Sequence, residues 1–246
     1  YFYNSLRLFY FACVLLSVQG FLNGKIYPVP TLALACSQVE RIDDARLAVD
    51  MKDYFNLLHL LDMSQISNLC DTKPVSIVTT LESQGREDVF VEQHTMESLG
   101  IRFNVIDYSR KGDNGRERVI SIRGTKTLKN MQTNMDSTLI YDARLGFRVH
   151  KGYLEIATVI TQELLNTKRK REAFLQEVED ITLSVTGHSM GGSVAIIVSM
   201  LLLDSYIKVQ SCVTFGAPKF VDDMASNVLL ESLNLIQVEH SKDPVC

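Results

Sequence analysis

The chain alternates short apolar blocks with polar breaks, and the period of each block predicts its element. Ile181–Thr186 is a continuous, β-branched apolar run, which predicts a buried strand. Ser193–Leu203 is apolar and free of glycine, which predicts a buried helix. Between them lies the tight turn Gly187-His188-Ser189-Met190-Gly191. Upstream, Ile101–Ser109 and Arg118–Arg123 read as two β runs. Asp113, Asn114 and Gly115 make the loop between them a hairpin turn. Val75–Thr80 predicts a strand, and Val89–Thr95 fits either strand or helix. Val39–Leu61 has apolar spacings of three and four, which predict an amphipathic helix covering part of a sheet. Val149–Asn166 predicts a helix opening at His150-Lys151-Gly152-Tyr153, and Thr127–Met135 has helical character. Val209–Phe215 and Leu235–His240 predict the last two strands. Strand–helix alternation over 181–240 implies an α/β fold with a mainly parallel sheet, made antiparallel in part by the 101–123 hairpin.

Composition narrows the function classes. The 246 residues are 46% hydrophobic and 22% charged, enough for one sizeable core. A net charge of −4 argues against nucleic acid as a partner. The basic run Lys168–Arg171 reads as a solvated helix end, with contact to an anionic surface as the alternative. The five cysteines, at 13, 36, 70, 212 and 246, show no metal-ligand spacing, and Cys212 falls in an apolar run expected in the core. Leu8–Val18 is an eleven-residue apolar run behind Arg7. A spanning helix needs about 20 residues, so this run suits a signal-peptide core with Val18-x-Gly20 as the cleavage site. The alternative is a short helix packed on the domain. The expected organisation is a targeting or membrane-proximal segment over 1–36 and an α/β domain over 37–246, with the protein secreted or membrane-associated.

Strand, G-x-S-x-G and helix together form the context of a nucleophile elbow. Its serine must sit on a strained turn with Oγ pointing out of the sheet. The residues two before and two after it approach closely, so glycine is needed at 187 and 191. A serine hydroxyl is a weak nucleophile. It needs a histidine base, an acid to orient that base, and donors for an oxyanion. In this arrangement the acid follows the serine at a strand end. Asp243, just past Leu235–His240, fits best. Asp222 and Asp223 precede that strand, and Asp204 follows the elbow helix too closely.

The pieces Ile122-Arg123-Gly124-Thr125, Val149–Tyr153, Thr186–Gly192, Thr214–Pro218 and Asp243-Pro244-Val245 occur in an order and spacing that resemble the class 3 lipases, fungal-lipase-like α/β hydrolases. The resemblance covers roughly residues 75 to 246. It implies an α/β-hydrolase fold with helices on both faces of the sheet, Ser189 as nucleophile, Asp243 as acid, and Thr125 and Met190 as the oxyanion hole. The implied activity is hydrolysis of lipid carboxylic esters, triacylglycerol lipase-like, through an acyl-serine intermediate, with possible contact to a lipid interface and with no metal or organic cofactor. Phospholipase A1-type activity is the alternative within the enzymes. A catalytically inactive fold that binds lipid or a protein partner is the alternative outside them. The family's lid carries an Asn-Trp pair, and here Asn130 precedes Met131. No histidine follows Asp243. His188 and His150 match structural positions of the family, His240 is three residues before the acid, and His59 and His94 lie upstream. The expectation is therefore that the domain is incomplete at its C-terminus and that the catalytic histidine lies beyond residue 246.

The 246-residue chain is accordingly expected to be a very poor esterase beside a longer chain that includes that histidine, because triad loss leaves only about 10³–10⁴ over water. A side-by-side assay on a short-chain ester checks this. Comparable kcat/KM would put the base within these residues, with His240 the first to mutate.

Overall fold

The computed structural model describes residues 51–96, 100–110, 115–124, 138–165, 181–222 and 233–238. It separates into two compact units, Tyr1–His59 and Leu60–Cys246. In chain order the elements are α1 (Met51–Leu69), α2 (Pro74–Ser83), β1 (Arg86–Met96), β2 (Ile101–Arg110), β3 (Arg116–Ile122), β4 (Leu139–Asp142), β5 (Phe147–His150), α3 (Lys151–Leu165), β6 (Ile181–His188), α4 (Met190–Asp204), β7 (Ser211–Phe215) and β8 (Leu235–Val238). The main sheet has six strands in the order β1-β2-β3-β6-β7-β8. β1, β2 and β3 pair antiparallel, while β3, β6, β7 and β8 pair parallel. This is the mainly parallel sheet with an antiparallel hairpin that the sequence predicts.

Register explains the two faces of the sheet. Phe103, Ile122 and Gly187 share one row, and Asn104, Ser121, Thr186 and Val213 the next. Alternation sends the side chains of neighbouring rows to opposite faces. Phe103, Val105, Ile120, Ile122, Leu183, Val185 and Cys212 form one face, packed with α3 and α4 into the main core. The other face carries the buried polar residues Asn104, Ser121, Ser184, Thr186 and Ser211. From Leu60 onward, α1 covers that face. Ser121 Oγ donates to Ile66 O at 3.1 Å, Thr186 Oγ1 to Met63 O at 3.4 Å, and Asn104 Nδ2 to Cys70 O at 3.4 Å. Ser184 and Ser211 pair with each other at 2.9 Å. Each of these four hydroxyls and the amide thus meets a polar partner, which lowers the penalty of burying it. Helices lie on both faces, as the class 3 resemblance implies.

One predicted strand fails. Val75–Thr80 is not a strand but the middle of α2. Pro74 occupies the first helical turn, where its fixed φ suits a helix and its missing N–H costs nothing. Ile77 and Leu81, four apart, are both buried, while Val75 faces solvent. The hydroxyls of Thr79 and Thr80 bond the carbonyls of Val75 and Ser76, four residues back. Helical burial of one stripe outweighs the β propensity of the run. Val89–Thr95 resolves as strand, within β1. The β4–β5 hairpin was not foreseen. Asp142 nucleates its turn by accepting the N–H groups of Arg144 and Leu145, and Gly146 closes it at φ +78°. Val39–Asp50, Thr127–Met135 and Lys168–Arg171 lie outside the described residues.

Charge gathers at one end of the sheet. Arg118 forks onto Asp107 with two bonds of 2.7 Å. Asp62 of α1 pairs with Arg86 and Arg110, and Arg110 and Tyr108 both bond Glu117. These residues mark the starts of β1 and β3 and the end of β2, the edge opposite the G-x-S-x-G turn. Cys212 is fully buried, as its apolar run predicts, and burial pushes its thiol up to about 12. Cys70, on the α1 side, is pushed up to about 11 by burial, and its Sγ donates to Ser121 O. Both thiols are free.

Asp107→Ala removes both bonds that this carboxylate makes to the buried Arg118 guanidinium. It is expected to cost about 3–5 kcal/mol of stability, read as the urea midpoint. Asp107→Leu with Arg118→Met is expected to recover most of that loss.

Candidate active site

The parallel strands β3, β6, β7 and β8 end together. Ile122 pairs with Gly187, His188 with Phe215, and Phe215 with Val238. Their tails therefore meet along one edge, the edge at which open α/β sheets bind ligands. Ser189 stands there, between β6 and α4, at φ +54° and ψ −133°. A non-glycine residue in this region stores about 1–3 kcal/mol of strain, held by its surroundings. The holding contacts are visible. Ser189 N–H donates to Phe215 O at 2.8 Å, and Gly192 N–H donates to Ser189 O at 2.8 Å.

The glycines of the turn are sterically required. A Cβ on Gly187 would sit inside the carbonyl of Gly191, as the G-x-S-x-G reading anticipates. A Cβ on Gly191 would strike not Gly187 but the carbonyl of Ile122 at the end of β3. Two further close approaches were not read from the sequence. A Cβ on Gly124 would lie 2.7 Å from His188 O and 3.4 Å from Ser189 Cβ. One on Gly192 would lie 2.9 Å from Ala217 Cβ. The available signal was the small residues Gly124, Gly191-Gly192 and Gly216-Ala217, each in a turn that follows a predicted strand.

α4 points its N-terminus at Ser189. The Ser189 hydroxyl makes no capping bond, and the first turn holds no acidic side chain to neutralise the positive end of the helix dipole. Met190 is buried, at 3% exposure, with its backbone in that first turn. Arg123 anchors the end of β3 beside the turn. Its guanidinium donates to Gly100 O at 2.8 Å and to Asp71 Oδ1 at 3.2 Å. The structure thus brings Ser189, Met190 and Gly124 together. Thr125, Asp243, Asp223, His240 and the Asn130–Met131 pair lie outside the described residues.

The other candidates sit elsewhere. Asp204 ends α4, roughly 20 Å along the helix from Ser189. Asp222 lies past the bend that follows β7, its N–H donated to Arg148 O. His94 is on edge strand β1, three strand spacings or about 14 Å from β6. It stacks on Phe103 at 4.5 Å and pairs with Glu92 at 3.2 Å. His150 ends β5 just before α3, and there its Nδ1 accepts the Tyr153 N–H and its ring stacks on Tyr153 at 4.1 Å. His188 is exposed, and its carbonyl faces Gly124. His59 lies in α1. Among the described residues, no group of three or more His, Cys, Asp or Glu is placed to hold a metal ion.

Comparison with known proteins agrees with this geometry. A secreted mono- and diacylglycerol lipase 1 from Fusarium solani is 30% identical over 136 residues, which is 54% of this chain and 40% of that protein. The chain therefore spans about two fifths of the length of that curated relative. A lipase from Rhizopus microsporus var. chinensis has a similar fold, with a TM-score of 0.61 at 18% identity over 78% of this chain and 68% of that one. So does a triacylglycerol lipase whose catalytic centre is formed by a serine protease triad, with a TM-score of 0.60 at 17% identity over 80% of this chain and 74% of that one. The model of the family Lipase (class 3) matches residues 119–246, a stretch that carries the strained serine, its glycines and the parallel strand ends around them, and the chain belongs to that family.

Proposed function

We propose that the protein is a serine carboxylic-ester hydrolase acting on lipid esters, triacylglycerol lipase-like. The observation that carries the reading is Ser189. A serine held at φ +54° at the joint of four strand ends, with its hydroxyl excluded from capping the helix behind it, has a costly conformation that helix capping does not explain. Such strain suits a residue that must present Oγ to a ligand.

In this mechanism Ser189 Oγ attacks the ester carbonyl carbon while a histidine takes the hydroxyl proton. The tetrahedral oxyanion is held by the backbone N–H of Met190 at the start of α4 and by Thr125 next to Gly124. Support for the Thr125 assignment is the close approach of Gly124 to Ser189. The carbonyl re-forms, the C–O bond to the alcohol breaks, and the histidine returns its proton to the leaving oxygen. Water then attacks the acyl-serine by the same route and releases the acid. Asp243 orients the histidine from the segment after β8, which lies beyond β7 from the strand of the nucleophile. Among the described histidines, His94 and His150 have ring contacts that commit them to other work, so neither is assigned as the base. The proposal extends to a secreted protein that meets its substrate outside the cytoplasm. The Fusarium relative is named as secreted, and Arg7 with the apolar Leu8–Val18 run suits a signal peptide.

An active-serine phosphonate probe is expected to label the full-length protein at Ser189. Ser189→Ala is expected to abolish labelling and to lower kcat on a short-chain ester by roughly 10⁶-fold. Labelling that persists in the variant sinks the assignment. Among the oxyanion donors, Met190→Ala is expected to be mild because its donor is backbone. Thr125→Val is expected to cost up to about 10²–10³ in kcat if its hydroxyl takes part. Equal and small effects from both would leave only backbone donors or a misplaced hole. An ester series of increasing acyl length, run on the same protein, reads the chain-length preference.

A further inference from the structure

We infer that Ser193 is a positioning residue: its buried hydroxyl fastens the bend after β7 to the first turn of α4, and that bend fixes both Ser189 and the end of β8. The inference rests on the reading of Ser189 as nucleophile.

Ser193 is fully buried, and its Oγ donates to the carbonyl of Pro218 at 2.7 Å, twenty-five residues away. This is not what a helical serine does by default. Ser199 and Ser205 in and after the same helix bond back to the carbonyls of Ala195 and Leu201, at 2.8 and 2.9 Å. The equivalent acceptor for Ser193 is Ser189 O. That oxygen already takes the N–H groups of Gly192 at 2.8 Å and Ser193 at 3.4 Å. The Ser193 hydroxyl is thereby directed out of its helix and into the 215–218 bend.

Each neighbouring group of that bend touches the proposed machinery. Phe215 O accepts the Ser189 N–H at 2.8 Å. Gly216 turns at φ +55° and donates its N–H to Val238 O at 2.8 Å. Ala217 fills the space that a Cβ on Gly192 would need. Val238 is the last residue of β8, and Asp243 follows it by five positions. One hydroxyl therefore ties the helix that aims its N–H groups at the oxyanion to the bend that holds the nucleophile on one side and the strand leading to the acid on the other.

Removing that hydroxyl leaves Pro218 O buried without its donor, and the bend is then free to relax about Gly216. The consequence is a small misplacement of Ser189 against the acid. Displacements of about 1 Å at such distances cost up to 10²-fold in rate. The ester-binding surface is unchanged, so the loss falls on kcat and not on KM.

The test uses full-length protein, a short-chain ester and the phosphonate probe, at a temperature well below every variant's melting point. Ser193→Ala is expected to lower kcat and the rate of Ser189 phosphonylation together by about tenfold or more, with KM within about twofold of the parent. Ser193→Cys keeps a weaker donor in nearly the same volume and is expected to fall between the two. Ser199→Ala, which removes a buried hydroxyl bonded within the same helix, is expected to leave kcat within twofold. An unchanged kcat in Ser193→Ala, an equal loss in Ser199→Ala, or a loss confined to KM overturns the positioning role while Ser189 labelling stands. Labelling of a residue other than Ser189 overturns the nucleophile and the inference with it.

Discussion

The arrangement depends on a steric void. At the G-x-S-x-G turn the backbones of β3, β6 and α4 approach so closely that no Cβ can stand at Gly187 or Gly191. That packing holds the strained Ser189 in place. With a side chain at either glycine, α4 would have to move back from the ends of β3 and β6. The helix N-terminus would then no longer point at Ser189, and the Phe215 carbonyl would lose the Ser189 N–H. The constraint also explains why α4 is buried all round through Leu202. A helix that starts this near the sheet lies flat on it, between the strands on one side and α3 on the other.

The sheet's two faces and two ends divide the remaining tasks. The α3/α4 face is apolar and supplies the main hydrophobic core. The α1 face is lined with small hydroxyls and an amide, each satisfied by carbonyls of α1 or by a neighbour. Such a face gains less from burial, and it fixes the register of α1 through directional bonds. The ion pairs Asp107–Arg118 and Asp62–Arg86 sit at the edge opposite Ser189. Among the described residues, the edge with the strained turn is held by backbone bonds and close approach, and carries fewer buried charges.

What was legible in the sequence was local. The strand–turn–helix at 181–203 is contiguous, and its glycines follow from the geometry of one turn. The hairpin at 101–123 is also contiguous and carries its own turn signal. Where tertiary packing decides, local signals misled or fell silent. The β-branched run at 75–80 became α2 because Ile77 and Leu81 bury one helical stripe. The β4–β5 hairpin depends on Asp142 accepting two N–H groups in its turn, and the surrounding hydrophobic pattern does not announce it. The clash partner of Gly191 is Ile122 O, some seventy residues upstream. No reading of the turn alone could name it, because strand order sets which chain lies beside the turn. Asp243 was chosen from its place after a predicted strand, and the end of β8 at Val238 fits that logic without reaching the residue itself.

Strain at Ser189 and the tie at Ser193 are linked by one limit, the supply of acceptors in the first turn of a helix. The Ser189 carbonyl receives two N–H groups because α4 begins directly behind it. With two N–H groups on that carbonyl, the Ser193 hydroxyl bonds instead to Pro218 O, outside its own helix. Pro218 belongs to the bend that also accepts the Ser189 N–H. The conformation that exposes the serine and the bond that steadies its surroundings therefore have a common origin. Starting the helix one turn later would free the Ser189 carbonyl and relax the turn.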